Sequence, residues 1–247
     1  MDWRAQCAAV IPCLNEAATI GPLVGAVRRA LPTVFVVDDG SSDDTGLIAQ
    51  KAGAGVLRHE FTTGKGAALK RGWSRAYELG FSWALTLDGD GQHSPEDIRS
   101  FLDCADQTGA VLVVGNRMSD ASEMPWVRRM VNRWMSRRIS ALSGRLLPDT
   151  QCGFRLLKLD LWAQLPIMAH YFEIESEVLM AFVNAGLPVG FVPIRAIYKD
   201  EQSKIHPLRD TIRWLRWWQR VQDLNRKDEI QDSRPKSTPK TPERVPP

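Results

Sequence analysis

Ser82-Trp83-Ala84-Leu85-Thr86-Leu87-Asp88-Gly89-Asp90-Gly91-Gln92-His93 joins an apolar run to two carboxylates separated by one residue. The run has the length and composition of a buried strand, so the stretch predicts acids at a strand tip. Residues i and i+2 of an extended segment point to the same side, which sets Asp88 beside Asp90. Gly89 and Gly91 permit a tight turn and the close approach of a ligand. Paired carboxylates suit a hard divalent cation, which accepts one or two of them and leaves its other positions to water and phosphates. A solvated acidic turn is the plainer reading of the same residues.

A second run repeats the pattern. Thr33-Val34-Phe35-Val36-Val37 ends in Asp38-Asp39, followed by Gly40-Ser41-Ser42-Asp43. In open α/β sheets ligands lie beyond the carboxyl ends of the strands. Helix capping suits Asp43, and contact with a ribose or base suits Asp39. Apolar runs near 7–12, 33–38, 54–58, 82–88 and 110–115 alternate with helical patterns near 17–31, 43–52, 65–79 and 95–107. That alternation predicts an α/β fold with a mostly parallel central sheet flanked by helices. After Gly115 the rhythm breaks into a helix over 126–142, a loop with Asp149, a helix over 173–184 and a strand over 189–197. From Leu224 the chain turns charged and proline-rich, with Pro235, Pro239, Pro242, Pro246 and Pro247, and lacks the apolar material to order itself by burial. The expected organisation is one catalytic domain over 1–223 and a disordered tail over 224–247.

Composition narrows the function classes. With 247 residues the chain can bury a sizeable core. Cys7, Cys13, Cys104 and Cys152 form no Cys-x-x-Cys pair, which predicts reduced thiols in a cytosolic protein. No basic-then-apolar leader opens the chain and no stretch approaches the roughly 18 apolar residues of a membrane span, so the expectation is a protein neither secreted nor integral to a membrane. Thr63-Gly64-Lys65-Gly66 lacks the rest of a phosphate loop. Pro12-Cys13-Leu14-Asn15-Glu16 stands where a dinucleotide-binding glycine motif would follow the first strand. Lys65, at a predicted helix start, is either a ligand for nucleotide phosphates or a solvated lysine.

Ile11-Pro12-Cys13-Leu14-Asn15-Glu16, Val37-Asp38-Asp39-Gly40-Ser41-Ser42-Asp43 and Leu87-Asp88-Gly89-Asp90-Gly91-Gln92-His93, in that order, resemble the family 2 glycosyltransferases. Gly115-Asn116-Arg117, Asp149-Thr150-Gln151-Cys152-Gly153-Phe154-Arg155 and Ser203-Lys204-Ile205 narrow the resemblance to the polyprenyl-phosphate (dolichol-phosphate) mannose or glucose synthases, over about residues 7–220. The resemblance implies a GT-A fold and a nucleotide-diphosphate sugar, UDP- or GDP-linked, as donor. It implies Asp88, Asp90 and Gln92 around Mg2+ or Mn2+, and Pro12, Asn15, Glu16 and Asp39 at the nucleotide sugar beside Asp88; Lys65 is added to that set by its place at a helix start. It implies Arg117 and Arg128 on the phosphate of a polyprenyl acceptor, with Ser203 and Lys204 closing over phosphate. Glu173 or Glu175 is placed to bind sugar hydroxyls, and His93 to hydrogen-bond rather than ligate.

Three departures from the family pattern stand out. Gly89 occupies a place often held by alanine, a change expected to be tolerated. Asn132 lies where a serine would assist phosphate binding, with Arg129 a possible substitute for Arg128. The membrane-spanning tail of many relatives is missing, so membrane contact is expected to be peripheral, at the inner face, or the acceptor delivered by a membrane-protein partner.

The net charge is only +3, yet between Met124 and Pro148 there are six arginines and no acid. Arg128, Arg129, Arg133, Arg137 and Arg138 alternate with Trp126, Val127, Met130, Val131, Trp134 and Ile139, the pattern of a basic interfacial helix. Arg209, Arg213, Arg216 and Arg220 share a second helical face, beside Trp214, Trp217 and Trp218. Anionic lipid is the expected partner; helices packed on the domain with solvated arginines are the plainer reading of the same patterns. Nucleic acid is not expected, since the pI of 8.7 falls short of a dedicated binder's footprint.

The expected reaction is inverting transfer of a hexose to a polyprenyl phosphate. Such a nucleophile is largely ionised at neutral pH, with its second pKa near about 6. A hydroxyl acceptor would instead need a base, for which Asp149 is the candidate. A non-catalytic nucleotide-sugar or membrane-binding module is the alternative from another class.

Overall fold

The computed structural model of the protein describes residues 1–197 and 207–232. In chain order the elements are α1 (Trp3–Gln6), β1 (Cys7–Cys13), α2 (Ile20–Ala30), β2 (Val34–Asp38), α3 (Thr45–Lys51), β3 (Gly55–Arg58), α4 (Lys65–Glu78), β4 (Trp83–Thr86), α5 (Ile98–Thr108), β5 (Leu112–Asn116), α6 (Trp126–Ser143), β6 (Arg155–Lys158), α7 (Leu159–Trp162), α8 (Ile174–Asn184), β7 (Val189–Pro193) and α9 (Pro207–Asp232). The chain divides into two units, Met1–Ser203 and Lys204–Pro247. The second unit is built on α9, which continues past Leu224 because residues 224–232 contain helix-forming Leu, Arg, Lys, Glu and Gln and no proline. The rest of the expected tail, from Ser233, lies outside the described residues.

In the first unit seven strands form one sheet in the order β3-β2-β1-β4-β6-β5-β7. β1, β2 and β4 are buried along their whole length, as their continuous apolar runs require of strands covered on both faces. All neighbouring strands run parallel except β6, which pairs antiparallel with both β4 and β5. β6 was not expected from the sequence. Its four residues are Arg155-Leu156-Leu157-Lys158, where Arg155 is buried, so neither alternation nor an unbroken apolar run marks it.

Strand direction explains how the site is assembled. The parallel strands bring the carboxyl ends of β1 and β2 to one edge, with Cys13 opposite Asp38. Because β6 runs the other way, its first residue, Arg155, sits opposite Thr86 at the end of β4 and opposite Val114 near the end of β5. The loop before β6 therefore arrives beside the loop after β4. A bridge between His93 and Ala196, with the Ile197 amide donating to the Gln92 carbonyl at 2.9 Å, fastens the turn after β4 to the segment after β7.

A buried ion pair fixes the loop before β6 against the end of β5. Arg117 donates to Asp149 from Nε to Oδ2 at 2.8 Å and from Nη2 to Oδ1 at 2.9 Å, and its backbone amide adds a bond to Oδ2 at 3.1 Å. The Gln151 amide takes Oδ1 at 3.1 Å. Burial alone would push the Asp149 carboxyl up, but the Arg117 charge and these hydrogen bonds hold it below the ordinary carboxylate range. The side chain of Asp149 has no exposed surface.

A close approach marks the turn after β4. A Cβ on Gly89 would stand 2.5 Å from Cys13 Sγ and 3.3 Å from both Glu16 Cγ and the Pro12 carbonyl. The sulfur occupies the space that a methyl at 89 would take.

Asp149→Asn should leave the buried guanidinium uncompensated and destabilise the first unit by about 3–5 kcal/mol in chemical denaturation at neutral pH. Because the native carboxyl is lowered, its contribution is present above about pH 4 and lost as pH falls through the native pKa, so the gap between variant and wild type should narrow on acidification. Gly89→Ala should cost about 1–3 kcal/mol through overpacking. Combined with Cys13→Ala it should recover most of that loss, giving a coupling of about 1 kcal/mol or more in a double-mutant cycle.

Candidate active site

The acidic tip is held by a lysine from α4. Lys65 Nζ lies 2.6 Å from Asp88 Oδ1 and 2.6 Å from Glu175 Oε1, at the start of α8. The ammonium also stands 5.6 Å from the centre of the Phe172 ring. On its other oxygen Asp88 faces His93 Nε2 at 3.6 Å. His93 is buried against Phe154, its Nδ1 without a hydrogen-bond partner. Burial works to raise the Asp88 carboxyl, but Lys65 and then His93 hold it well below the usual range.

Asp90 is the less settled acid. Its Oδ1 accepts the Gln92 amide at 3.0 Å, yet burial first and the Asp88 charge second keep its carboxyl above the ordinary value. A cation shared by the two acids would relieve that repulsion, so the donor set fits the hard divalent ion expected from the sequence. Among the described residues no group of three or more His, Cys, Asp or Glu side chains is gathered to hold an ion. An ion at this tip would take its remaining ligands from water and substrate phosphates, the usual habit of magnesium.

The loop before β6 closes one side of the tip. Arg155 donates to the carbonyls of Cys152 at 2.7 Å, Glu175 at 2.5 Å and Thr150 at 3.1 Å, and so ties this loop to the start of α8. Gly153 lies against Asp88 and Lys65: a Cβ there would come 2.6 Å from Asp88 Oδ2 and 2.9 Å from Lys65 Nζ. Only glycine leaves that space clear.

The tips of β1 and β2 are joined to each other. Asn15, at φ 54°, is the sole non-glycine residue with positive φ among the described residues. Its Oδ1 accepts the Ser42 amide at 2.8 Å and its own amide donates to Ser41 Oγ at 2.9 Å. The Glu16 amide donates to Thr45 Oγ1 at 2.7 Å. Pro12 is buried within β1. Asp39 organises the loop ahead of α4: Oδ1 meets His59 Nδ1 at 2.6 Å, the Thr63 amide at 2.9 Å and the Thr63 hydroxyl at 2.7 Å, while Oδ2 accepts the Gly64 amide at 2.8 Å. Burial opposes ionisation here, and these bonds overcome it.

The structure thus gathers Asp88, Asp90, Gln92 and Lys65 at one edge, with Pro12, Asn15, Glu16 and Asp39 at the neighbouring strand tips. Two of the expected residues are held by each other. Asp149 does not present a basic oxygen, since both are bonded and buried, and Arg117 directs its guanidinium to Asp149 rather than outward to a phosphate. Arg128 is half-buried on α6, and Asn132 faces inward, its Nδ2 3.9 Å from Met124 Sδ. Ser203 and Lys204 lie outside the described residues. The pairing of Lys65 with Glu175 and the role of Arg155 were missed. Only the acidic run Phe172-Glu173-Ile174-Glu175-Ser176-Glu177 and the segment Cys152-Gly153-Phe154-Arg155 signalled them.

The outer face of α6 is apolar and basic. Its buried face carries Asn132, Met135, Ser136 and Ile139. Trp126 (67% exposed), Val127, Met130 (57%) and Trp134 point away from the protein, among the exposed Arg133, Arg137 and Arg138. In α9 the rings of Trp214 and Trp218 stack at 5.5 Å, with Arg216 and Arg220 exposed.

The sequence model described as Glycosyl transferase family 2 matches residues 8–164. The chain is 29% identical over 201 residues to the polyprenol monophosphomannose synthase of Mycolicibacterium smegmatis, covering 75% of this chain and 75% of that protein. It is 29% identical over 214 residues to the UDP-N-acetylglucosamine–dolichyl-phosphate N-acetylglucosaminyltransferase of Methanococcus voltae, covering 77% of this chain and 85% of that protein. A crystal structure of glucosyl-3-phosphoglycerate synthase from Mycobacterium tuberculosis, in complex with Mn2+, uridine-diphosphate-glucose and phosphoglyceric acid, shares the fold with a TM-score of 0.64 at 21% identity, over 81% of this chain and 73% of that one. With the family model spanning most of the mixed sheet and its acidic edge, the chain belongs to glycosyl transferase family 2 and is a nucleotide-sugar transferase of the GT-A fold.

Proposed function

We propose that the chain transfers a hexose from a UDP- or GDP-linked sugar to a polyprenyl phosphate, with inversion at the anomeric carbon. The observation that carries this reading is the Arg117–Asp149 pair. A hydroxyl acceptor would need a base, and the carboxylate placed for that role is buried and doubly bonded. A phosphate acceptor needs none, being already largely ionised at neutral pH. Its oxygen forms a bond to the anomeric carbon as the bond from that carbon to the donor's diphosphate breaks. The names of the polyprenol and dolichyl-phosphate relatives support the same acceptor class.

Asp88, Asp90 and Gln92 would hold Mg2+ or Mn2+, which when bound supplies charge neutralisation for the departing diphosphate. The protein's own residues do the rest. Lys65 brings a positive charge to the donor diphosphate, and Asp39, by fastening the loop at Thr63 and Gly64, fixes where α4 and that lysine begin. Asn15 and Glu16 join the β1 and β2 tips into one wall for the nucleotide. Gly153, having no Cβ, lets the loop before β6 lie directly against Asp88 and Lys65. Arg128 and the outer face of α6 are assigned to the acceptor side, the arginines meeting anionic headgroups and the tryptophans the interface. The proposed contact, through the outer face of α6, is peripheral and at the cytoplasmic face; no helix of the described residues is long and apolar enough to cross a membrane.

Asp90→Ala should reduce release of nucleoside diphosphate by at least about a hundredfold in an assay with Mn2+, a nucleotide-sugar panel and polyprenyl phosphate, with the unfolding midpoint unchanged. Undiminished turnover would remove the acidic tip from the mechanism. Replacing Arg133 and Arg137 together by Gln should weaken cosedimentation with phosphatidylglycerol vesicles roughly tenfold or more and leave binding to neutral vesicles unaltered.

A further inference from the structure

Lys65 is placed unusually for a residue that only awaits a diphosphate. Its ammonium is seated between two carboxylates, 2.6 Å from each, and is largely enclosed. One of those carboxylates, Asp88, is the acid proposed to ligate the divalent ion. A second cation on Asp88 would then share one carboxylate with the ammonium, and like charges at such range repel strongly where water is scarce. Glu175 offers the lysine a second seat: Oε1 already holds it, and Oε2 is buried without a hydrogen-bond partner. Gly153 adds no side chain of its own where it lies against Asp88 and Lys65.

We infer that Lys65 is the resting counter-ion of Asp88 and must yield that carboxylate when the divalent ion enters, so that the ion is taken up together with the nucleotide rather than ahead of it. The inference deepens the proposed function and rests on its assignment of the ion to Asp88 and Asp90. A nucleoside diphosphate carries enough negative charge to receive both the displaced ammonium and the ion. Each should therefore favour the other's binding by the same factor, as linkage requires. Glu175 acts as a positioning residue, keeping the lysine at the site while Asp88 changes partner.

The test is a titration of the full chain with Mn2+, followed by the electron paramagnetic resonance of the free ion, with and without UDP or GDP in separate arms. The double variant Lys65→Met with Glu175→Gln removes one positive and one negative charge, so the net charge at the tip is preserved, Glu175 is not left as an unpaired carboxylate, and Asp88 alone loses its cation. Without nucleotide it should bind Mn2+ roughly tenfold more tightly than wild type, the scale of losing one charge-assisted competitor. The gain in Mn2+ affinity on adding the diphosphate should be smaller in the variant than in wild type. Should the double variant not fold, Lys65→Gln, which keeps a donor for Glu175 but leaves the tip one charge more negative, is read by the smaller gain in Mn2+ affinity on adding the diphosphate; an undiminished gain would overturn the inference. Equal Mn2+ affinity of variant and wild type without nucleotide would overturn the inference and leave the ion's site standing. Mn2+ binding that survives Asp88→Asn would overturn the site and the inference with it.

Discussion

Charge withdrawn from water at the carboxyl edge of the sheet has to be matched within hydrogen-bond distance, and the arrangement of the first unit follows from how this is done. Three cationic side chains answer it differently. Arg117 takes a carboxylate in a bidentate grip, a geometry suited to the rigid guanidinium fork. Arg155 has no direct carboxylate partner in its hydrogen bonds and draws three backbone carbonyls around itself instead. Lys65 divides a point charge between two acids. The arginines make fixed joints that set the loop before β6 and the start of α8. The lysine makes a joint that can exchange partners, and it stands where the chemistry is proposed.

This division separates framework from reacting groups among residues that look alike in the sequence. Asp149 and Asp88 are both acids in short polar motifs. Asp149 is enclosed by its arginine and the Gln151 amide. Asp88 keeps a quarter of its side-chain surface exposed, next to an acid that is reluctant to ionise beside it. An unsettled charge near solvent is the better mark of a reactive centre than a buried acid whose bonds are complete.

Much of this was legible beforehand. The continuous apolar runs that became β1, β2 and β4 needed only recognition of strands buried on both faces, and the acids at their tips followed. Helices α6 and α8 were visible from spacing and from the residues at their ends. What escaped was set by contacts distant in sequence. β6 hid because Arg155 interrupts its apolar character, and the reason an arginine is tolerated there lies in carbonyls from two other segments. Asp149 read as a base because nothing local shows that Arg117 closes over it. The partnership of Lys65 with Glu175 depends on α8 and α4 meeting at one edge, a fact of topology rather than of pattern.

The turn between the two acids restricts which side chains its neighbours can carry. Sulfur at position 13 and a methyl at position 89 exclude one another, although each residue alone is an ordinary choice at its place. With this backbone and this placement of the sulfur, a Cβ at 89 needs the Cys13 side chain to move or to be replaced by a smaller one. The side chains tolerated at the two sites are therefore coupled, across a turn that also carries both acids.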